Sequence, residues 1–333
     1  MRDLRTLPKA ELHLHLEGAV RISTLRELAD RDGGRLPSGL GPEGWTFDGP
    51  ADFIANYTQA CALLREPRDF HRLGLEICED LAANGVRYAE AVFSPSNHAA
   101  RLGNDWTGPI EAVLDGLEQG RRSHGVTVRL TPDVVRDLGL QEGEQVLEVA
   151  LAFADRGVVG LNAAGSEGSD IGPFAPLFRR AKDAGLRSVP HAGEWAGPAN
   201  VWETLEHYLP DRIGHGVRSI DDPALVEHLA ELRIPLEVCP LSNVSTGVYA
   251  SLAEHPFPRL REAGVVVTLN SDDPPMFGAW VTEVYDAARA AWDLTDVDLA
   301  EIARTGVDAS FADEATKAEL GRAIDDWLIA EGA

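Results

Sequence analysis

Along the chain, short apolar, β-branched runs ending in Gly, Pro, Asn or Asp alternate with longer stretches whose apolar positions recur at helical spacing. Strands of a parallel sheet are covered on both faces and so read as nearly continuous apolar runs. Eight such runs occur, at residues 10–16, 86–94, 126–134, 158–165, 186–194, 212–216, 234–240 and 265–274. Strands alternating with helices predict a parallel sheet, and eight of them predict an α/β fold of the TIM-like (β/α)8 barrel type. Helix boundaries are marked by Ser23 before TLRELADR, by Asp222-Pro223 before ALVEHLAEL, and by Pro176 before LFRRAKDAG with Gly185 as its stop. One stretch breaks the rhythm after the first strand. From about 36 to 80, the Gly/Pro-rich LPSGLGPEGWTFDGP leads into DFIANYTQACALL and RDFHRLGLEICEDLAANG, read here as an inserted helical cap over the barrel mouth. Residues 296–329 read as helix throughout, and no repeat or linker divides residues 1–333. A single elaborated barrel is therefore expected, with an open doubly wound sheet as the alternative.

Composition narrows the partners. With 44% hydrophobic residues, the 333-residue chain can bury a core, and 54 acidic against 30 basic residues give a net charge of −24. That field repels phosphate backbones and anionic lipid headgroups, which excludes nucleic acid and membrane surfaces as expected partners. No apolar run approaches the roughly 20 residues of a membrane span, and the N-terminus lacks an apolar signal core, so a cytoplasmic location is expected. Cys61, Cys78 and Cys239 form no CxxC pair and are read as buried free thiols.

The chemistry gathers at the ends of the predicted strands. His13 and His15 alternate on one strand, so their imidazoles share a face about 7 Å apart. His191 closes the fifth strand and Asp272 the eighth, and in a barrel these ends meet at one mouth. Three imidazoles and a carboxylate suit one divalent ion such as Zn²⁺ with a water in the open position. Glu194 should face the same cavity as a proton shuttle. His215, between Gly214 and Gly216, is placed to orient the water, and Asp273 is left free to accept from a substrate. His71, His98, His124, His207, His228 and His255 are expected at the surface, without a role.

The ordered set LPKAELHLHLEGA, HAGE, RIGHG, VCPLSN and LNSDDP resembles the adenosine deaminase family of the amidohydrolase superfamily, from about residue 7 to 284. The resemblance implies a (β/α)8 barrel holding one zinc on His13, His15, His191 and Asp272. It implies attack of zinc-activated water on C6 of a 6-aminopurine nucleoside, adenosine or a 5′-modified analogue, with release of ammonia and a 6-oxopurine. By the same resemblance Glu194 protonates N1, His215 holds the attacking oxygen, Asp273 contacts N7, and the Gly165 N–H reaches N3. Phe53, Ile54 and Tyr57 align with the family's apolar lid. Glu17 stands where ribonucleoside-specific members carry Asp and looks more like the adenine deaminase subgroup, whereas Gly214 in RIGHG matches the nucleoside enzymes. Asn162 and Ser166 replace acidic residues of the family's pattern. Adenine and 6-aminodeoxyfutalosine, whose carboxylate Arg136 would meet, are the alternative substrates. A binuclear amidohydrolase would need a bridging lysine, and none of Lys9, Lys182 or Lys317 ends a predicted strand. The P-C-x-x-C signature of cytidine-deaminase-like enzymes is absent. A non-catalytic nucleoside binder would be expected to have lost a ligand or the proton-shuttling acid, and all are present.

Overall fold

A computed structural model describes residues 1–330. All eight expected strands form, and they lie in chain order around one parallel sheet. They are β1 (Lys9–His15), β2 (Val86–Phe93), β3 (Thr127–Val135), β4 (Gly160–Ala164), β5 (Arg187–Ala192), β6 (Ile213–His215), β7 (Leu236–Val238) and β8 (Val267–Leu269). The last three are shorter than their apolar runs because the chain leaves the ladder as soon as it reaches the mouth. This is the (β/α)8 barrel, and the open doubly wound sheet is set aside.

The seam between β1 and β8 is closed in an unusual way. Leu14 bridges to Asp272, through His15 N–H to Asp272 O (2.9 Å) and Asp272 N–H to His13 O (3.0 Å). Deeper in, side chains replace the ladder. Leu12 N–H donates to Asn270 Oδ1 and Ser271 N–H to Glu11 Oε1, each at 3.0 Å. On its other edge β1 slips register against β2 between Glu11 and Leu14, a bulge of the kind that re-aims side chains. Three expected metal ligands, His13, His15 and Asp272, thus sit where the barrel's backbone pairing is least regular.

Several elements differ from the sequence reading. The first helix, Ile22–Asp32, has Arg21 at its N-cap, so Ser23 lies inside it and caps nothing. Asp222 does cap helix Pro223–Leu232, accepting from Ala224 N–H. The C-terminal stretch is two helices, Asp296–Ala309 and Glu314–Ile329. Ser310 leaves helical geometry between them, with ψ near 161°, and Asp313 accepts from Thr316 N–H to start the second. A two-stranded hairpin, Leu40–Gly41 with Gly44–Trp45, was not expected. In the 36–80 segment, helix Pro67–Ala83 packs against helix Gly108–His124. A Cβ on Gly74 would lie 2.4 Å from Val113 O, so these backbones touch, and this helix belongs to the outer layer. Helix Pro50–Cys61 instead turns Phe53, Tyr57 and Cys61 onto Met276. Among the described residues, no helix is long and apolar enough to cross a membrane.

Candidate active site

The C-terminal ends of β1, β5 and β8 bring the expected ligands together. His15 Nε2 lies 3.2 Å from His191 Nε2 and 3.4 Å from Asp272 Oδ1, and His13 Nε2 lies 3.6 Å from the same oxygen. Ligand atoms about 2.0–2.1 Å from a tetrahedral ion stand about 3.3 Å apart, so these separations are those of a coordination shell. Buried His13 Nε2 has no hydrogen-bond partner among the described residues. An ion would satisfy that orphaned nitrogen and relieve two imidazole nitrogens facing one another. The donors present therefore fit a divalent metal.

Outer contacts aim the rings. His13 Nδ1 meets Glu237 Oε2 and His191 Nδ1 meets Asn162 Oδ1, both at 2.9 Å, which leaves each Nε2 for the metal. Glu237 is itself held by Arg212 Nε at 2.5 Å, and Arg212 also pairs with Glu90. Burial acts to raise Glu237, but the Arg212 charge together with the hydrogen bonds and charge from His13 and Arg212 outweighs it and keeps the carboxyl below its ordinary range. Ser242 Oγ donates to Asp272 Oδ2 at 2.6 Å. A Cβ on Gly214 would meet His13 Cε1 at 2.8 Å, so glycine is needed there for the ring to lie flat against β6. His215 and Asp272 both hold left-handed backbone, φ 60° and 69°, which costs a non-glycine residue about 1–3 kcal/mol. Cys239 is within ligand range of His13, His215 and Asp272. Burial first, then the Asp272 charge, push its thiol well up, which works against the thiolate form that ligation needs.

Glu194 is buried beside this cluster, its Oε2 3.6 Å from His215 Nε2 and its Oε1 3.4 Å from Asn243 Nδ2. Burial, and then the charges of Asp272 and Glu167, raise its carboxyl well above the ordinary range. A carboxyl raised in this way holds its proton to higher pH than an ordinary glutamate and can give one up. Burial also holds His215 near 3, so that ring is neutral. Glu167, which the sequence reading overlooked, accepts from Glu194 N–H (3.0 Å), Trp195 N–H (2.9 Å) and Ala196 N–H (2.6 Å) and so fixes the turn that presents Glu194.

Toward the cap, Glu17 is buried, and its Oε1 meets Ser94 N–H at 2.9 Å and His98 Nε2 at 3.0 Å. Its Oε2, Asp133 Oδ1, Tyr57 Oη and Asp273 Oδ1 are buried without partners among the described residues, which makes them candidate contacts for a polar ligand. Burial pushes Asp133 up to about 7, with the nearby Glu17 charge adding to the rise. The Tyr57 ring lies 6.1 Å from that of His15. Phe53 shares the Tyr57 face, but Ile54, one position round the helix, is 46% exposed and is not brought to the site. Gly165 ends β4 with φ 86°.

Two further expectations need correction. Arg136 is buried, and Nε, Nη1 and Nη2 each donate to a main-chain carbonyl, of Ala164, His191 and Gly165 (3.0, 3.3 and 3.0 Å). It ties three strand ends together, being neither a free cation nor a surface ion pair. His98 and His255 are buried behind Glu17 and Asn243, not at the surface, because each has a polar partner to satisfy it. Glu237, Glu90 and Arg212 were overlooked too, although a charge inside a strand covered on both faces is a readable signal of a buried network.

A nitrogen-rich cluster that fits a divalent metal at the mouth of a (β/α)8 barrel, with a buried acid of raised pKa beside it, is the arrangement of a hydrolase of the amidohydrolase type. The chain belongs to the adenosine deaminase family, whose model matches residues 8–327. It is 42% identical to an aminodeoxyfutalosine deaminase of Streptomyces avermitilis, over 99% of this chain and 94% of that one. The crystal structure of an adenine deaminase from Arthrobacter aurescens superposes with a TM-score of 0.91 at 32% identity, covering 97% of this chain and 99% of that one. A Zn-bound amidohydrolase from Burkholderia ambifaria superposes at 0.84 with 26% identity, over 98% and 92% of the two chains. The protein is thus an enzyme that hydrolyses C–N bonds of cyclic amidines, by hydrolytic deamination of aminopurines.

Proposed function

We propose that the protein is a zinc-dependent deaminase of an uncharged 6-aminopurine, a nucleoside or the free base, and that it yields the 6-oxopurine and ammonia. The observation that carries this reading is Glu194, buried, raised in pKa and turned toward His215 beside the ligand cluster. His13, His15, His191 and Asp272 would hold the ion, and an N₃O donor set suits zinc. When bound, zinc supplies a water polarised enough to act as nucleophile near neutral pH.

The chain's own residues do the rest. Glu194 protonates ring N1, which draws electron density from C6 and makes it electrophilic. Glu167 keeps the Glu194 turn in place, so the acid does not swing away. Asp273, with a free buried oxygen and a carboxyl raised by burial and by the Asp272 charge, donates to the lone pair of N7, and the Gly165 N–H reaches N3. Glu17 Oε2 and Asp133 face the far edge of the substrate. Phe53 and Tyr57 wall the pocket against water, with helix Pro50–Cys61 of the insertion acting as the cap on a single barrel domain.

A second reading, deamination of 6-aminodeoxyfutalosine, is favoured by the 42% identity to an enzyme of that name. The geometry favours uncharged substrates. Arg136 has each of its nitrogens on a carbonyl, and the unpartnered oxygens there belong to the acids Glu17 and Asp133, so a substrate carboxylate would be set against acidic groups. Ammonia release from adenine, adenosine, 2′-deoxyadenosine and 6-aminodeoxyfutalosine should be measured side by side, with and without chelator. The expected result is chelator-sensitive turnover of one or more of the first three. Turnover confined to 6-aminodeoxyfutalosine would replace the first reading with the second, and no ammonia from any of them would remove both.

A further inference from the structure

Behind Glu194 and His215 stands a second rank of buried polar groups to which the reaction above gives no part. Asn243 and His255 are both buried. The Phe257 N–H donates to His255 Nδ1 at 3.2 Å. A main-chain N–H only donates, so His255 Nδ1 carries no proton and the ring hydrogen sits on Nε2. Burial, aided by the charge of Arg259, holds this ring near 3, so it stays neutral. Nε2–H faces Asn243 Oδ1 at 3.2 Å. That contact orients the amide, because the flipped form would set its NH₂ against the Nε2–H of His255.

With the amide so oriented, Asn243 Nδ2 lies 3.4 Å from Glu194 Oε1 and 3.4 Å from His215 Nδ1, with one hydrogen for each. His215 Nδ1 is thereby an acceptor, and the ring's own hydrogen must sit on Nε2. That nitrogen looks into the site, 3.6 Å from Glu194 Oε2 and 3.9 Å from Asp272 Oδ2.

We infer that Asn243 and His255 are positioning residues: a relay from the Phe257 N–H through His255 and Asn243 fixes His215 as an Nε2–H donor and leaves Glu194 Oε2 as the oxygen that handles the substrate proton. The catalytic consequence rests on the deaminase reading, and the tautomer assignment does not. His215 then enters the reaction as a hydrogen-bond donor to the oxygen that attacks C6 and keeps its hydrogen throughout. The hydrogen delivered to N1 leaves Glu194 Oε2 as the Oε2–H bond breaks and the N1–H bond forms. Neither Asn243 nor His255 touches substrate; both act through the two residues that do.

The test uses the metal-loaded protein with ¹⁵N-labelled histidine side chains, whose long-range ¹H–¹⁵N correlations distinguish the tautomers. Wild-type protein should show His255 and His215 as neutral Nε2–H forms. In His255→Phe, His215 should lose its single tautomer, and kcat should fall about 10- to 100-fold while zinc affinity by chelator competition is unchanged. KM should stay within about twofold, as expected for an interaction that matters only in the transition state. His255→Gln, whose amide can still donate to Asn243 Oδ1, should recover most of the kcat. An Nδ1–H or doubly protonated His215 in the wild type overturns the proposal, as does an unchanged kcat in a folded His255→Phe. The wild-type spectrum decides even if that variant does not fold. It also needs no substrate, so a protein that released no ammonia would defeat the deaminase reading and leave this measurement standing.

Discussion

At the residue scale, Glu194 is the position at which the proposed function separates catalysis from metal binding. It lies beside the ligand shell without being in it, its carboxyl raised by burial and by the charges of Asp272 and Glu167. Glu194→Gln keeps the shape and the contact from Asn243 only if the amide turns its oxygen to Nδ2, and it has no acidic hydrogen to give. Zinc content per chain should therefore stay at the wild-type level while kcat falls by at least about 100-fold; a variant with near-normal turnover would remove Glu194 from its role. The convergence of His13, His15, His191 and Asp272 at the barrel mouth was legible in the sequence because ligand chemistry restricts residue type and barrel topology restricts position to strand ends. Glu167 and Asn243 were not legible, since what each does depends on a partner 27 or 49 residues away and no local spacing encodes it. Ile54 shows the opposite error. Alignment with a lid placed it beside Phe53 and Tyr57, but helical periodicity groups 53 with 57 and turns 54 by about 100° into solvent.

Among the elements, the strands could be read from hydrophobicity, while the packing of the insertion could not. Two amphipathic stretches in a row looked like one cap, yet helix Pro67–Ala83 presents Gly74 to the backbone of helix Gly108–His124. Glycine at that spacing is a message about a neighbour that the stretch alone does not name. It also makes a prediction against helix propensity. Alanine in a helix is better than glycine by about 1 kcal/mol, but the new Cβ would lie 2.4 Å from Val113 O, 2.9 Å from Leu117 N and 3.1 Å from Gly116 C, all main chain. The helices must part to admit it. Gly74→Ala should therefore lower stability by about 1–3 kcal/mol, seen as a lower urea midpoint with an unchanged slope. A midpoint equal to or above that of the wild type would mean that the two helices have slack there.

For the molecule as a whole, the barrel buries a lysine at the end opposite its chemistry, and this ties folding to pH. Lys9 begins β1, is fully buried, and donates to Leu4 O (2.5 Å) and Leu7 O (2.8 Å) without a carboxylate in hydrogen-bond range. Burial lowers its pKa to about 7, against about 10.4 in the unfolded chain. Between those values the unfolded chain binds one more proton than the folded one, so this group makes stability rise with pH, by about 1.4 kcal/mol per unit. Glu11, raised by burial to about 8, acts the other way. Folded Glu11 keeps its proton while the unfolded residue has lost it, so stability falls with pH up to about 8, and above that the Lys9 slope stands alone. Lys9→Met fills similar space without titrating. From about pH 8 to 10 the wild type should gain about 2 kcal/mol on the variant in urea unfolding, with titrating groups distant from Lys9 cancelling in the difference. A constant difference across that range would mean that Lys9 stays charged in the folded barrel, neutralised by the carboxylates Glu11 and Asp286 that already oppose its shift.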